Sequence, residues 1–306
     1  AHIDALFRLP QYSGSQIKLF IQTAQSIFHK AGFTHVRDMS MNENLWNALV
    51  QMSEGNDLKL CLDSFVTAEN VNDLDRVVQE VNYLKTNKCF HLRVHGVKIF
   101  VDGSLGSKTA YLSENYLNTD KQGLMIWSAS DIKTAILKAW SNQLEIAVHV
   151  IGDQSVHQVV LAAREVASSG VLGRLHLEHV QILSPQTLQL MKPLHITCHM
   201  QPVHWLSDQK WLDQVLPANL LKNLFQWELI RKNNISLFFG SDSPIEPPSL
   251  LSTHKALVLS EKNKIPSLTA DWKKFHAHPD IDWSNSRTEF DSEKIQQVYF
   301  NNESVL

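Results

Sequence analysis

The sequence predicts an α/β protein, a TIM-type (β/α)8 barrel one strand short of closure. Three observations predict it. Apolar runs of four to eight residues alternate with amphipathic stretches of helical period, as parallel βαβ units do. The runs number seven, against the eight of a closed barrel. Residues able to bind metal end four of them, and a parallel barrel places its catalytic groups at the C-terminal strand ends. An open doubly wound sheet is the rival that alternation alone leaves standing.

The first helix is expected over residues 15–31. There Ile17, Phe20, Ile21, Ala24, Ile27, Phe28 and Ala31 recur at spacings of three and four and share one face, and Gly32 is a plausible stop. A short strand follows at 34–38. Further strands are expected at 58–65, 96–102, 144–150, 175–181, 195–201 and 235–241, with helices at 69–85, 131–143, 154–168, 186–192, 220–233 and 250–259. Residues 103–129 are rich in Gly, Ser and Asn and read as a loop on the active-site face. Residues 270–290 read as a second loop and 292–300 as a short helix. The whole chain, 1–306, is expected to be a single barrel domain whose last part, 261–306, is loop and short helix.

Composition excludes several classes. A 43% hydrophobic and 19% charged chain is neither disordered nor collagen-like. A net charge of −3 offers no polyanion-binding surface, so no nucleic-acid partner is expected. No apolar run is long enough to span a bilayer, so no membrane partner is expected, and no charged-then-apolar leader opens the chain. It begins at Ala1 rather than Met, and an upstream part is expected to have been removed. Cys61, Cys89 and Cys198 are widely spaced without a C-x-x-C pair, which fits a reducing cytoplasm and argues against a thiolate zinc site.

The 15 histidines are the unusual count, and their placement carries the chemistry. Lys98 lies in an otherwise apolar strand; it is either an inner-wall lysine paired with an acid or an amine that carries CO2 as a carbamate. His149 ends the 144–150 strand, where a structural histidine is the plainer reading. His176 and His179 lie three apart, so strand alternation lets only one line the barrel, and Glu178 faces away from His179. His195, His199 and Gln201 share a face, with His204 beyond. Asp242 ends the last strand. Imidazole and carboxylate suit zinc, iron or manganese. Such an ion activates water, and Asp242 is placed both to bind it and to act as base. Gly103-Ser-Leu-Gly-Ser-Lys-Thr109 fails the P-loop spacing, and no G-x-S-x-G elbow marks a serine hydrolase. Trp127, Trp205, Trp211 and Trp227 either line an apolar pocket or pack outer helices on the barrel.

Five segments in order resemble the amidohydrolase superfamily, in its YtcJ-like, N-substituted formamide deformylase branch. They are Gly96-Val-Lys-Ile-Phe-Val-Asp-Gly-Ser-Leu-Gly-Ser-Lys108, Ala147-Val-His-Val-Ile-Gly-Asp153, Leu177-Glu-His-Val-Gln181, Met200-Gln-Pro-Val-His204 and Phe239-Gly-Ser-Asp-Ser-Pro-Ile-Glu246. The resemblance implies a metal-dependent hydrolase of carbon–nitrogen, non-peptide amide-type bonds in small molecules, with a divalent ion, zinc first and iron or manganese next. It implies that Lys98 is the bridging lysine, open to carboxylation, that His149 and His179 are ligands, and that Asp242 is the ligand that activates water. Gln201 and His204 would lie near the substrate, and Asp102 with residues 103–108 would shape the site.

The resemblance also implies a His-x-His pair on a first strand preceded by a small β-sandwich. This chain carries neither; His2-Ile-Asp4 has no second histidine. It therefore keeps a full ligand set for one metal and a partial set for another, and the alternative is a truncated, inactive remnant with weak or no metal binding. The strands at 34–38 and 235–241 would be open edges. A homo-oligomer contact is one cover; the tail around His276-Ala-His278 is another by spacing, but its flanks are poor strand material and two histidines in a solvated loop is the plainer reading.

Overall fold

The computed structural model describes residues 12–87, 89–262, 286–291 and 294–306. Helices and strands alternate as α1 (Gly14–Lys30), β1 (His35–Asp38), α2 (Glu43–Glu54), β2 (Cys61–Thr67), α3 (Leu74–Thr86), β3 (Leu92–Phe100), α4 (Ala129–Ser141), β4 (Glu145–Val150), α5 (Asp153–Ser168), β5 (Leu175–His179), α6 (Pro185–Met191) and β6 (Ile196–Met200). Four short helices follow: α7 (Pro202–Asp208), α8 (Leu212–Val215), α9 (Ala218–Leu221) and α10 (Trp227–Lys232). After them come β7 (Ser236–Phe239) and α11 (Leu250–Lys262). Caps start several helices where the sequence supplies them: Ser13 and Gln16 form a capping box on α1, and Asn42, Ser128 and Ser184 cap α2, α4 and α6.

Strands β1 to β7 make one parallel sheet in chain order. The sheet curls. Arg37 on β1 donates two hydrogen bonds, of 3.2 and 3.1 Å, to Glu178 on β5. The Phe65 ring on β2 lies 5.4 Å from that of His176, also on β5. Only a sheet bent back on itself brings those strands face to face, so the α/β class and the incomplete-barrel form agree with expectation. Among the described residues, β1 and β7 each pair with one strand, and no helix is long and apolar enough to cross a membrane.

The apolar core lies between the sheet's outer face and the helices. Val66, Val97, Ile99, Val148, Leu177 and Cys198 are buried there with Val77, Val81, Ile136, Val159 and Val160. Trp127, Trp205 and Trp227 belong to the same core, so they are packing residues. The inner face is polar instead. Arg93 Nε lies 2.8 Å from Asp63, His95 Nε2 lies 2.8 Å from the same carboxylate, and His176 bridges Glu145 at 2.7 Å and His199 at 3.0 Å. A cavity of about 550 Å³ opens beside this chain of groups, lined in part by Trp46, Lys85, Arg93, His95 and Glu145. It lies at the N-terminal ends of β3 and β4, away from the strand ends that carry chemistry in barrels.

That network costs the fold stability as the pH turns alkaline. Burial alone would lower the His95 pKa, but hydrogen bonds to Asp63 and Glu145 outweigh it and hold it up to about 9. A pKa raised in the folded state stabilises fully below the unfolded value, about 6.5, and the contribution fades as pH rises through about 9. Asp63, Glu145, Arg93 and His176 are the charged or titratable groups around the ring. Wild-type urea midpoints should therefore fall between about pH 7 and 10 more steeply than those of His95→Gln. Parallel curves would remove His95 from the account.

Three expectations need correction. Residues 295–300 are not a helix, and 287–290 are not part of the loop expected over 270–290: β9 (Ile295–Phe300) lies between β8 (Arg287–Phe290) and β10 (Glu303–Ser304) in a three-stranded antiparallel sheet. The spacing of Ile295, Val298 and Tyr299 suits a helix, but β-branched and aromatic residues favour strands. In β9, Val298 and Phe300 alternate inward and are buried, with Phe300 against His35 and His91. The helix expected at 220–233 is broken. Phe225 N–H donates to Gln181 O and Leu183 N–H to Asn223 O, so the segment between α9 and α10 leaves helical geometry to pair with the chain beyond β5. Helix α2 was not anticipated at all. The His276-Ala-His278 segment and His2-Ile-Asp4 lie outside the described residues.

Candidate metal centre

Lys98 faces the barrel interior because β3 carries a bulge. Ser64 pairs with Val94 and Phe65 with Gly96, so one extra residue on β3, His95, resets the alternation. Arg93 shares a face with Asp63, and beyond the bulge Gly96, Lys98 and Phe100 share that face too. Gly96 is needed at this shift: a Cβ there would stand 1.8 Å from the backbone oxygen of Glu145. Lys98 is 2% exposed, with its amine 4.7 Å above the Phe100 ring. Burial lowers its pKa, Glu178 raises it and Arg37 lowers it, for a value of about 8. Asp242 also bears on it.

His179 ends β5 in the left-handed region, with φ of 77°, and Val180 follows at 45°. Non-glycine residues rarely adopt it, and here it releases His179 from strand alternation. His176 and Glu178 line the interior from the strand proper, and His179 reaches the site as well, so the expectation that only one histidine could do so fails at the strand's last residue. Gln201 fixes the ring's tautomer. Its amide nitrogen donates to His199 O at 3.2 Å, so its oxygen accepts from His179 Nδ1–H at 2.9 Å. The lone pair of His179 then sits on Nε2. His149, one strand over, donates from Nε2 to Gly103 O at 3.1 Å, and its ring meets that of His179 edge-on at 4.5 Å.

Asp242, just past β7, is also left-handed, with φ of 58°. Its carboxylate is partly exposed, and burial raises its pKa to about 6 against the opposing pull of Lys98. Donor atoms of His179, His204 and Asp242 all lie within 4.8 Å of one another. His204, on α7, stacks on His179 at 5.9 Å and places Nε2 3.8 Å from the Asp242 carboxylate. That Nε2 is buried and has no hydrogen-bond partner.

Of the residues expected at the site, His179, His204 and Asp242 thus form the tight group. His149 stands beside it, and Lys98 acts on it through charge. Gln201 touches His179. Asp102 faces its own chain: its buried carboxylate accepts from the N–H of Tyr111 at 3.0 Å, Ile151 at 3.0 Å and Gly152 at 2.9 Å, and from Ser155 Oγ at 2.6 Å. It ties the 103–129 loop to the turn between β4 and α5. Sequence reasoning missed Arg37 and did not connect it to Glu178. It quoted Gln181 only within a motif; that side chain lies 3.4 Å from His204 Nδ1.

Comparison with known proteins bears on the family and the fold. The description of the Amidohydrolase family matches residues 2–272. The Bacillus subtilis (strain 168) protein named "Putative amidohydrolase YtcJ" is 31% identical over 169 residues, 55% of this chain and 32% of that protein. Protein LONG AFTER FAR-RED 3 of Arabidopsis thaliana is 30% identical over 158 residues, 50% of this chain and 27% of that one. An uncharacterized metal-dependent hydrolase from Pyrococcus furiosus superposes with a TM-score of 0.69 at 28% identity, covering 80% of this chain and 50% of that one. The matched region thus spans about a third of the curated relatives and half of the solved chain. A curled parallel sheet, imidazoles and a carboxylate gathered past its strand ends, and a family match over nearly the whole sequence lead to one assignment: the chain belongs to the amidohydrolase family.

Proposed function

We propose that this chain forms the body of a metal-dependent hydrolase acting on carbon–nitrogen bonds in small, non-peptide amide-type substrates. The observation that carries the reading is the approach of His179, His204 and Asp242 to one point past the strand ends, the end of a barrel where chemistry sits. Neutral imidazole and carboxylate without thiolate suit zinc first, with iron or manganese compatible. Two features fit such an ion: the orphaned, buried His204 Nε2 and the Nε2 lone pair that Gln201 leaves on His179. His179 and Asp242 would hold one ion, with Lys98 and His149 on the side that a second would occupy. When bound, the ion supplies Lewis acidity, which polarises a carbonyl and lowers the pKa of water toward 7.

The chain's own residues do the rest. Asp242 takes the water's proton, and its carboxylate is open enough to meet water. Gln201 holds the His179 ring in one tautomer, and Gly103 O does the same for His149. Asp102 anchors the loop that follows β3 to the turn after β4. Lys98, with a pKa near 8, is partly neutral near neutral pH. A neutral amine is the form that takes up CO2, releasing a proton and leaving a carbamate oxygen as a further donor.

Purified chain, stripped of metal and then given zinc, should hydrolyse members of a panel of N-formyl and N-acyl amines. Activity should vanish with chelator and return with zinc. Hydrolysis indifferent to chelation would sink the reading. Zinc uptake with no turnover on any member would favour a binding remnant.

A further inference from the structure

We infer that His204 is a metal ligand, completing with His179 and Asp242 a three-donor site that needs neither Lys98 nor His149. The inference rests on the metal-dependent reading above and goes beyond it, because sequence motifs placed His204 only near the substrate. Three observations carry it. His204 Nε2 is buried and unpartnered, in a residue 8% exposed, although a buried polar nitrogen without a partner is costly. It points at Asp242, 3.8 Å away. It also belongs to the one set of three metal-binding side chains whose donor atoms gather within 4.8 Å among the described residues. Zinc bonds of about 2.0–2.2 Å put tetrahedral donors roughly 3.3–3.6 Å apart, so modest side-chain rotations close the group. Three protein donors and one open position is the catalytic pattern for zinc.

The surroundings supply the needed tautomers. Gln201 already commits His179 to Nδ1–H. For His204, the neighbour of Nδ1 is the Gln181 side-chain amide, placed with its nitrogen toward the ring at 3.4 Å. With its carbonyl oxygen turned to His204, Gln181 accepts from Nδ1–H and frees the Nε2 lone pair. Nitrogen and oxygen of such an amide exchange places at no cost in shape. Two glutamines, one beside each histidine, then play the part that outer-shell acceptors play for metal-bound imidazoles. His149 is held the other way round: its Nε2–H is spent on Gly103 O, which leaves its lone pair on Nδ1, and it is not among the three side chains whose donor atoms gather.

The test is zinc alone, titrated calorimetrically into the metal-free full chain. Wild type should take up about one equivalent in its tight phase. His204→Ala should weaken that phase by more than the roughly 10–100-fold that loss of an outer-shell partner costs, and by more than either Lys98→Ala or His149→Ala does. A second measurement avoids variants. In wild type with 15N-labelled imidazoles, the first equivalent of zinc should shift His179 and His204 and leave His149 in place. Shifts at His149 and His179 with His204 silent overturn the inference, as does full affinity in His204→Ala; in both cases the metal-dependent reading stands. Wild type that takes up no zinc overturns both.

Discussion

Asp242→Asn should lower kcat by about 10²–10⁴-fold, the range for losing a positioned proton acceptor, while the fold stays intact. Asparagine keeps the size and one carbonyl oxygen of aspartate but cannot take a proton from water. It also keeps the backbone content, which matters because residue 242 is left-handed, with φ of 58°. Asparagine enters that region more readily than other non-glycine residues, whereas alanine would add strain of its own. The variant therefore separates proton transfer from folding. Steady-state kinetics at saturating zinc, with metal content and thermal midpoint measured alongside, checks it. A variant with full zinc and near wild-type kcat would remove Asp242 from the chemistry and move the base elsewhere. A fall in zinc affinity with kcat restored at high zinc would leave it a ligand only.

The parts of the site legible in the sequence were those that strand ends announce. Alternation of apolar runs and amphipathic stretches located β1 to β7 to within a few residues, and the polar residues closing those runs marked the region of His149, His179 and Asp242. The grouping itself was not legible, for local reasons. Period-two reasoning assumes an unbroken pleat. The bulge at His95 lets Arg93 and Lys98 share a face although they lie five apart. The left-handed turn at His179 lets it join Glu178 inside. His204 was visible as a histidine past a strand, but its role depends on the helix that begins at Pro202 and folds it back over His179. The inner polar network was hidden more deeply. Asp63, His95, Glu145 and His176 are spread over more than a hundred residues, and only the side-by-side pairing of β2 to β5 makes them neighbours. At the C-terminus, one spacing fitted two periods, and burial decided for the strand.

Arg37→Leu should destabilise the fold by about 3–5 kcal/mol, the cost of breaking a buried ion pair by removing one partner. Arg37 and Glu178 join β1 to β5 across the barrel through two hydrogen bonds. Glu178 is 6% exposed. Burial would raise its pKa, but Arg37 first and Lys98 second hold it below the ordinary range. Leucine at 37 would leave a buried carboxylate with Lys98 as its main counter-charge. Removing both partners is different: Arg37→Leu with Glu178→Leu takes out both charges of the pair, and the buried Lys98, whose pKa Glu178 raises, can shed its proton rather than stay charged without it; such paired replacements are often close to neutral. Urea unfolding of the two single variants and the double should therefore give a large coupling energy, with the double more stable than Arg37→Leu alone. Additive losses would mean that the pair does not act as a unit. The same substitution reaches the chemistry through Lys98. Arg37 lowers the Lys98 pKa and Glu178 raises it, so deleting the arginine leaves the amine more firmly protonated and less able to take up CO2. If carboxylated Lys98 contributes to turnover, then Arg37→Leu should lose the activity gained from added bicarbonate even at temperatures where it remains folded. A brace across an open barrel would in that case also set the charge state of the lysine whose charge acts on Asp242.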